Sequence, residues 1–179
     1  MRGRAELSLK ARALQLLAQR EHSVLELRRK LLDHLRRQQV AATPDVIAGR
    51  RLRDPGPQAE AEVEAMLAWL REGGHLSDAR FAESRLRARA SRYGNLRLRD
   101  ELARHGLRPS PDEAAALAAS EFERAHALWS RRFDAPPGNA AERARQTRFL
   151  AGRGFSADVI RRRRRALGRH RGRQGAARP

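Results

Sequence analysis

The sequence predicts an all-α protein. Three observations carry that reading. Apolar residues make up 40% of the chain but aromatics only 4%, so Leu and Ala must carry the packing, as helical cores do. Apolar positions recur every three to four residues, with no competing strand-like alternation. The periodic segments are punctuated by Ser, Asn and Asp at their starts and Gly at their ends.

The first helix is expected over Ser8 to Arg20, with Leu9, Ala13, Leu16 and Leu17 on one face. After Glu21 and His22, Ser23 and Glu26 read as a capping box that opens a second helix with Val24, Leu27, Leu31 and Leu35 in a stripe. Arg37 to Gln58 is polar and ends in Asp54-Pro55-Gly56-Pro57, the composition of a long loop with room for a short helix at Thr43-Pro44-Asp45. A third helix, Ala59 to Glu72, carries Val63, Met66, Leu67 and Leu70 and stops at Gly73-Gly74. Ser77-Asp78 opens a fourth, with Phe81, Ala82 and Leu86. Asn95 is placed to cap a fifth with Leu98 and Leu102, closed by Gly106. Ser110-Pro111-Asp112-Glu113 is a second capping box, from which one long helix or two short ones run to Phe133, with Phe122, Ala125, Trp129 and Phe133 on one face. Asp134-Ala135-Pro136-Pro137-Gly138 breaks the chain. Asn139 with Glu142 caps a further helix containing Ala144, Leu150 and Ala151, and Ser156 with Asp158 starts the last, with Val159 and Ile160. The Gly- and Arg-rich tail from Gly168 is expected to be disordered.

Leu102-x-x-x-Gly106-Leu107 recurs as Leu150-x-x-x-Gly154-Phe155, and Leu27 to Leu35 resembles Leu98 to Leu107. The pattern suggests three tandem modules of three short helices: 8–74 (with the loop 37–58), 75–119 and 120–167, followed by a basic tail, 168–179.

The formal charge is +18, carried almost entirely by Arg, since Lys10 and Lys30 are the only lysines. Such a field attracts phosphate, and after it acidic protein surfaces. The absence of Cys excludes disulfides, thiolate catalysis and Cys-containing zinc sites. The six histidines form no metal-ligand spacing. His34 and His105 occupy equivalent repeat positions, where they are expected to bond helix-terminal carbonyls. Ser23 beside His22 is a cap rather than part of a triad, and Gly152-Arg153-Gly154 lacks the lysine of a phosphate loop. The expectation is therefore no enzyme and no cofactor. With no apolar leader at Met1 to Arg12 and no membrane-length segment, the expected compartment is the cytoplasm.

Four stretches carry a family resemblance. Arg20-Glu21-His22-Ser23 with Glu26 to Leu31, Leu76-Ser77-Asp78-Ala79-Arg80-Phe81-Ala82-Glu83-Ser84, Arg99 to Leu102 with Gly106-Leu107, and Gln146 to Leu150 through Gly152-Arg153-Gly154-Phe155-Ser156 resemble, in order, the motifs of the RecX family. The resemblance implies helix-turn-helix-like triads in an elongated, curved arrangement. It also implies a monomer without an active site that lies in the groove of the RecA filament on single-stranded DNA. There it would restrain filament growth, ATP hydrolysis and strand exchange, and so modulate DNA repair, recombination and the SOS response. Two features depart from the family pattern: the long loop 37–58 and the short, Ala-rich sixth helix near Asp112 to Ala119. The rival reading is a stand-alone helix-turn-helix nucleic-acid binder. Against it stands the lack of a base-reading set of Asn, Gln and Arg on one helix.

Candidate contact residues for DNA or recombinase are arginines opposite the apolar stripes: Arg29 and Arg36, Arg80 and Arg87, Arg97 and Arg104. Each alone reads as part of a solvated helix surface; together their excess asks for a partner. Arg162 and Arg165 join them from the run Arg161 to Arg165, which should wrap all sides of its helix. Among the aromatics, Tyr93 beside Gly94 is the one placed to stack on a base.

Overall fold

The computed structural model describes residues 7–42 and 56–175. Among the described residues there are eight helices and no strand: α1 (Leu9–Gln19), α2 (Val24–Ala42), α3 (Pro57–Glu72), α4 (Asp78–Arg89), α5 (Asn95–Ala103), α6 (Pro111–Ser130), α7 (Ala140–Gly152) and α8 (Ala157–Gly175). The all-α expectation holds. Two compact units divide within α4, one through Ala82 and the other from Glu83.

In the first unit, α2 packs on both α1 and α3. Their apolar stripes close on a core of Leu9, Ala13, Leu16, Leu27, Leu31, Val63, Leu67, Leu70 and Leu76. Burial of each large aliphatic chain contributes on the order of 2 kcal/mol. Ser8 caps α1 by accepting from the Ala11 N–H at 3.2 Å, and Ser23 caps α2 by accepting from the Glu26 N–H at 3.1 Å. Asp78 adds a cap from a distance, its carboxylate accepting the Val24 N–H at 2.9 Å. α2 runs on through residues expected in the loop, because Arg37 to Ala42 contains no helix breaker and the first is Pro44. The short helix expected at Thr43 lies outside the described residues. α3 begins two residues early, with Pro57 at its first position, where the missing N–H costs nothing.

In the second unit, α6 packs against α5, α7 and α8. Ala125, Trp129, Leu150, Phe155 and Ile160 form its core, with Phe133 and Phe149 packed against it. The capping box at Ser110 is complete, with Glu113 returning to the Ser110 N–H at 2.7 Å. From there α6 runs unbroken, so the open alternative of two short helices is settled as one. Asn139 caps α7 as expected, accepting from Glu142 N at 2.9 Å. Ala144 and Ala151 are exposed, leaving Leu150 to carry the inner face of α7.

Three further expectations are corrected. Gly94, not Asn95, is the N-cap of α5, because the Asn95 side chain is taken by Arg124. His34 lies within α2 and its Nε2 bonds the carbonyl of Leu7 at 2.9 Å, not a helix-terminal carbonyl. The tail from Gly168 is helical through Gly175, since extending a formed helix is easier than nucleating one; residues 176–179 lie outside the described residues.

The Leu-x-x-x-Gly repeat has a shared physical basis. Gly106 and Gly154 adopt left-handed φ of 73° and 79°, and the next N–H, of Leu107 or Phe155, returns to the carbonyl of Leu102 or Leu150 at 3.0 and 3.2 Å. The same stop occurs at Leu70, whose carbonyl accepts from His75 at 2.8 Å across Gly74 with φ 69°. These are Schellman-type ends that turn the chain sharply into the next helix.

Candidate polyanion interface

The approach of α5 to the α7–α8 turn gathers positive charge in the second unit. Gly94 N donates to Arg153 O at 2.9 Å and Leu96 N to Gly154 O at 3.0 Å. Both glycines are required. A Cβ on Gly94 would lie 2.3 Å from Gly154 O, and one on Gly154 would lie 2.5 Å from Arg97 Cβ. The contact gathers three guanidiniums around the half-buried Tyr93 ring: Arg89 and Arg97 at 4.6 Å from its centroid and Arg153 at 5.7 Å. Cation–π contacts of this kind contribute about 0.5–1 kcal/mol each at a partly exposed site.

Arg89 is spent on Glu101 at 3.2 Å, a carboxylate it shares with Arg85. Arg97 and Arg153 have no carboxylate among the described residues. Tyr93 thus flanks Arg97, and Tyr93 and Phe149 (5.5 Å) together flank Arg153, two cations whose guanidinium N–H groups have no carboxylate among the described residues. Such a platform suits the oxygens of a phosphate backbone or of an acidic surface.

A buried polar frame holds the platform. Glu121, 5% exposed, accepts from the backbone N–H of Asn95 at 3.0 Å and of Ser156 at 3.1 Å, and from the Ser156 hydroxyl at 3.0 Å. One carboxylate thus caps the starts of both α5 and α8, where the helix dipoles favour negative charge. Arg124, one turn on, donates to the carbonyls of Ala90 at 2.9 Å, Tyr93 at 2.7 Å and Leu117 at 3.0 Å, and to Asn95 Oδ1 at 2.6 Å. Burial lowers the Arg124 pKa, yet an arginine so bonded stays charged.

The first unit has its own buried polar cluster. His22, 1% exposed, has Nδ1 2.9 Å from Arg20 O and Nε2 3.0 Å from Lys30 Nζ. An ammonium can only donate, so Nε2 accepts and the proton belongs on Nδ1. Burial lowers the His22 pKa and keeps the ring neutral. Burial alone would raise the Glu26 carboxyl, but bonds from Arg20 (3.0 Å to Oε2) and from Lys30 (3.2 Å) outweigh it and hold it at about 2. The cluster ties the turn between α1 and α2 together.

The arginines singled out from sequence fall into two groups. Arg36 is half-buried and pairs with Asp33 at 3.3 Å, Arg80 pairs with Glu21 at 2.9 Å and bonds Gly74 O, and Arg87 pairs with Glu83. Arg29 and Arg104 are exposed without an acidic partner among the described residues. Arg97 flanks Tyr93, Arg162 lies 4.4 Å over the Phe122 ring, and Arg165 is exposed. The run 161–165 is not uniformly solvated: Arg163 is 2% exposed. Sequence reasoning missed Arg153, Arg163 and the Glu121–Arg124 frame. Arg153 sits between the two stop glycines of α7, the local signal that could have found it. Among the described residues no group of His, Asp and Glu could hold a metal, and no helix is long and apolar enough to cross a membrane.

Comparison with known proteins is consistent along the chain. The family described as the second three-helix domain of RecX matches residues 77–110, and that described as its third three-helix domain matches 119–162. Regulatory protein RecX of Ralstonia nicotianae is 46% identical over 159 residues, covering 88% of this chain and 86% of that protein. The protein of the same name from Leptothrix cholodnii is 46% identical over 160 residues, 88% of each. The crystal structure of RecX from Lactobacillus salivarius, at 18% identity, shares the fold with a TM-score of 0.59 over 89% of this chain and 94% of that one. With sequence identity of this level running through nearly nine-tenths of its length, the chain belongs to the RecX family of regulatory proteins.

Proposed function

We propose that this chain is a non-enzymatic regulator that binds the RecA filament on single-stranded DNA and restrains its growth, ATP hydrolysis and strand exchange. It acts as a monomer in the cytoplasm and modulates DNA repair, recombination and the SOS response. The observation that carries the reading is family membership along 88% of the chain. The surface chemistry supports it. Arg29, Arg97, Arg104 and Arg153 are fixed on ordered helices and turns without acidic partners among the described residues, which suits a partner that is itself a polyanion coated by protein. A coupled assay of RecA ATP hydrolysis on single-stranded DNA tests it. Folded protein should slow hydrolysis at amounts below the recombinase. Undiminished hydrolysis with the protein in excess would rule the reading out.

A further inference from the structure

Beside the run of arginines on α8 lies a hollow of about 460 Å³, whose lining combines the apolar Trp129, Pro136 and Leu150 with Arg143, Arg163 and Arg165. Among the described residues no Asp or Glu lines it. Arg163 is the unusual member. It is 2% exposed, its guanidinium stacks 3.9 Å over the Trp129 ring, and its Nε and Nη2 are buried with no hydrogen-bond partner. Burial lowers its pKa, but a guanidinium does not deprotonate in a protein. A buried, unpaired charge is costly wherever it occurs, and an apolar side chain of similar size would pack on Trp129 without that cost.

We propose that the hollow is a docking site for an acidic side chain, Asp or Glu, carried between large apolar residues of a partner peptide. The Nε and Nη2 edge of Arg163, buried and without a hydrogen-bond partner, is a two-donor fork that matches one carboxylate once the docking segment parts the side chains over it. The apolar wall fits the neighbouring side chains of an amphipathic segment. A nucleic-acid strand fits less well: the face of Trp129 on which a base would stack is already covered by Arg163, and the indole is 7% exposed. The site is separate from the Tyr93 platform and does not depend on the recombinase reading.

Trp129 reports on its own site once Trp69, the other of the two tryptophans, is changed to Phe. The test is a titration of that protein with two pools of blocked pentapeptides. One pool has Asp or Glu at the centre and Leu, Ile, Val or Phe on both sides; the other has Asn or Gln at the centre. The acidic pool should change Trp129 emission saturably, and the amide pool should bind at least about tenfold more weakly. Arg163→Met should remove the response while the thermal transition holds or rises. Equal response to the two pools, no response up to about 1 mM, or a full response in Arg163→Met overturns the proposal. So does a Trp129 response to oligothymidylate alone, which would give the site to phosphate. The comparison of acid with amide needs no variant at position 163 and stands even where that variant fails to fold.

Discussion

Gly94 and Gly154 meet backbone to backbone, so closely that a Cβ on Gly94 would fall 2.3 Å from the Gly154 carbonyl oxygen. Gly94→Ala should therefore cost about 2–4 kcal/mol, because its neighbours there, Gly154 O and the Phe155 N and Cα, are backbone atoms that cannot swing away. Gly154→Ala should cost a similar amount, adding a left-handed φ of 79° to its clash with Arg97. Two residues earlier, Gly152 ends α7 with open space around it, and Gly152→Ala should be neutral or stabilising by about 0.5 kcal/mol. Urea denaturation of the three variants checks the contrast. A harmless Gly94→Ala would mean that the turn and α5 do not approach as described.

Glu121 caps two helices with one carboxylate, so its loss should be felt at both. Glu121→Ala should destabilise by roughly 3 kcal/mol, since two backbone N–H groups and a hydroxyl lose their acceptor. Glu121→Gln, which keeps one acceptor oxygen, should cost less than half of that. Hydrogen exchange should show faster opening at the starts of α5 and α8 together. Loosening of only one of them would contradict a shared cap.

Stability should fall with acid in two stages. The His22 pKa in the fold lies below its ordinary 6.5, so the unfolded chain takes up a proton first, and stability declines as pH drops below about 6.5. The Glu26 contribution is fully present above about 4.5 and is lost as pH falls toward about 2, a span that corresponds to roughly 3 kcal/mol. Urea denaturation across pH measures both. His22→Gln should flatten the upper limb and Glu26→Gln the lower one; an unchanged upper limb in His22→Gln would show that the histidine is not held neutral.

Free-DNA binding and filament inhibition should separate by mutation. Changing Arg162, Arg164 and Arg165 to Gln, with Arg163 kept, removes exposed charge from the end of α8. It should weaken binding to oligonucleotides at low salt, an effect screened over about 10 Å at 0.1 M salt, and should leave inhibition of the recombinase nearly intact. Arg97→Ala with Arg104→Ala should do the reverse, because Arg97 is oriented by Tyr93. If the α8 variant loses inhibition while the α5 variant keeps it, the α8 cations are the working surface.

What was legible in the sequence was local. Ser110 with Glu113 and Asn139 with Glu142 are three residues apart, and the stops at Gly106 and Gly154 close over five, so the chain near each end names its own partner. The Glu121 bonds span 26 and 35 residues and those of Arg124 up to 34; nothing near those positions marks them as different from other helix-surface residues. The same divide runs through the arginines. The Arg87–Glu83 pair is visible as a four-residue spacing, whereas the Arg80–Glu21 pair bridges 59 residues. Arg163 was hidden for another reason: in a run of identical residues, only the tertiary placement of Trp129 decides which one turns inward.

The unbroken α6 ties rotation to length. Glu121, Ala125 and Trp129 lie four residues apart in turn, so the cap of α5 and α8 and the indole beneath Arg163 are indexed on one shaft. Adding one residue between Ala125 and Trp129 would turn the indole by about 100° relative to the cap. Adding seven would bring it back to within about 20° but shift it roughly 10 Å along the axis. Neither keeps both attachments, so this stretch of the chain can change its letters but not its count.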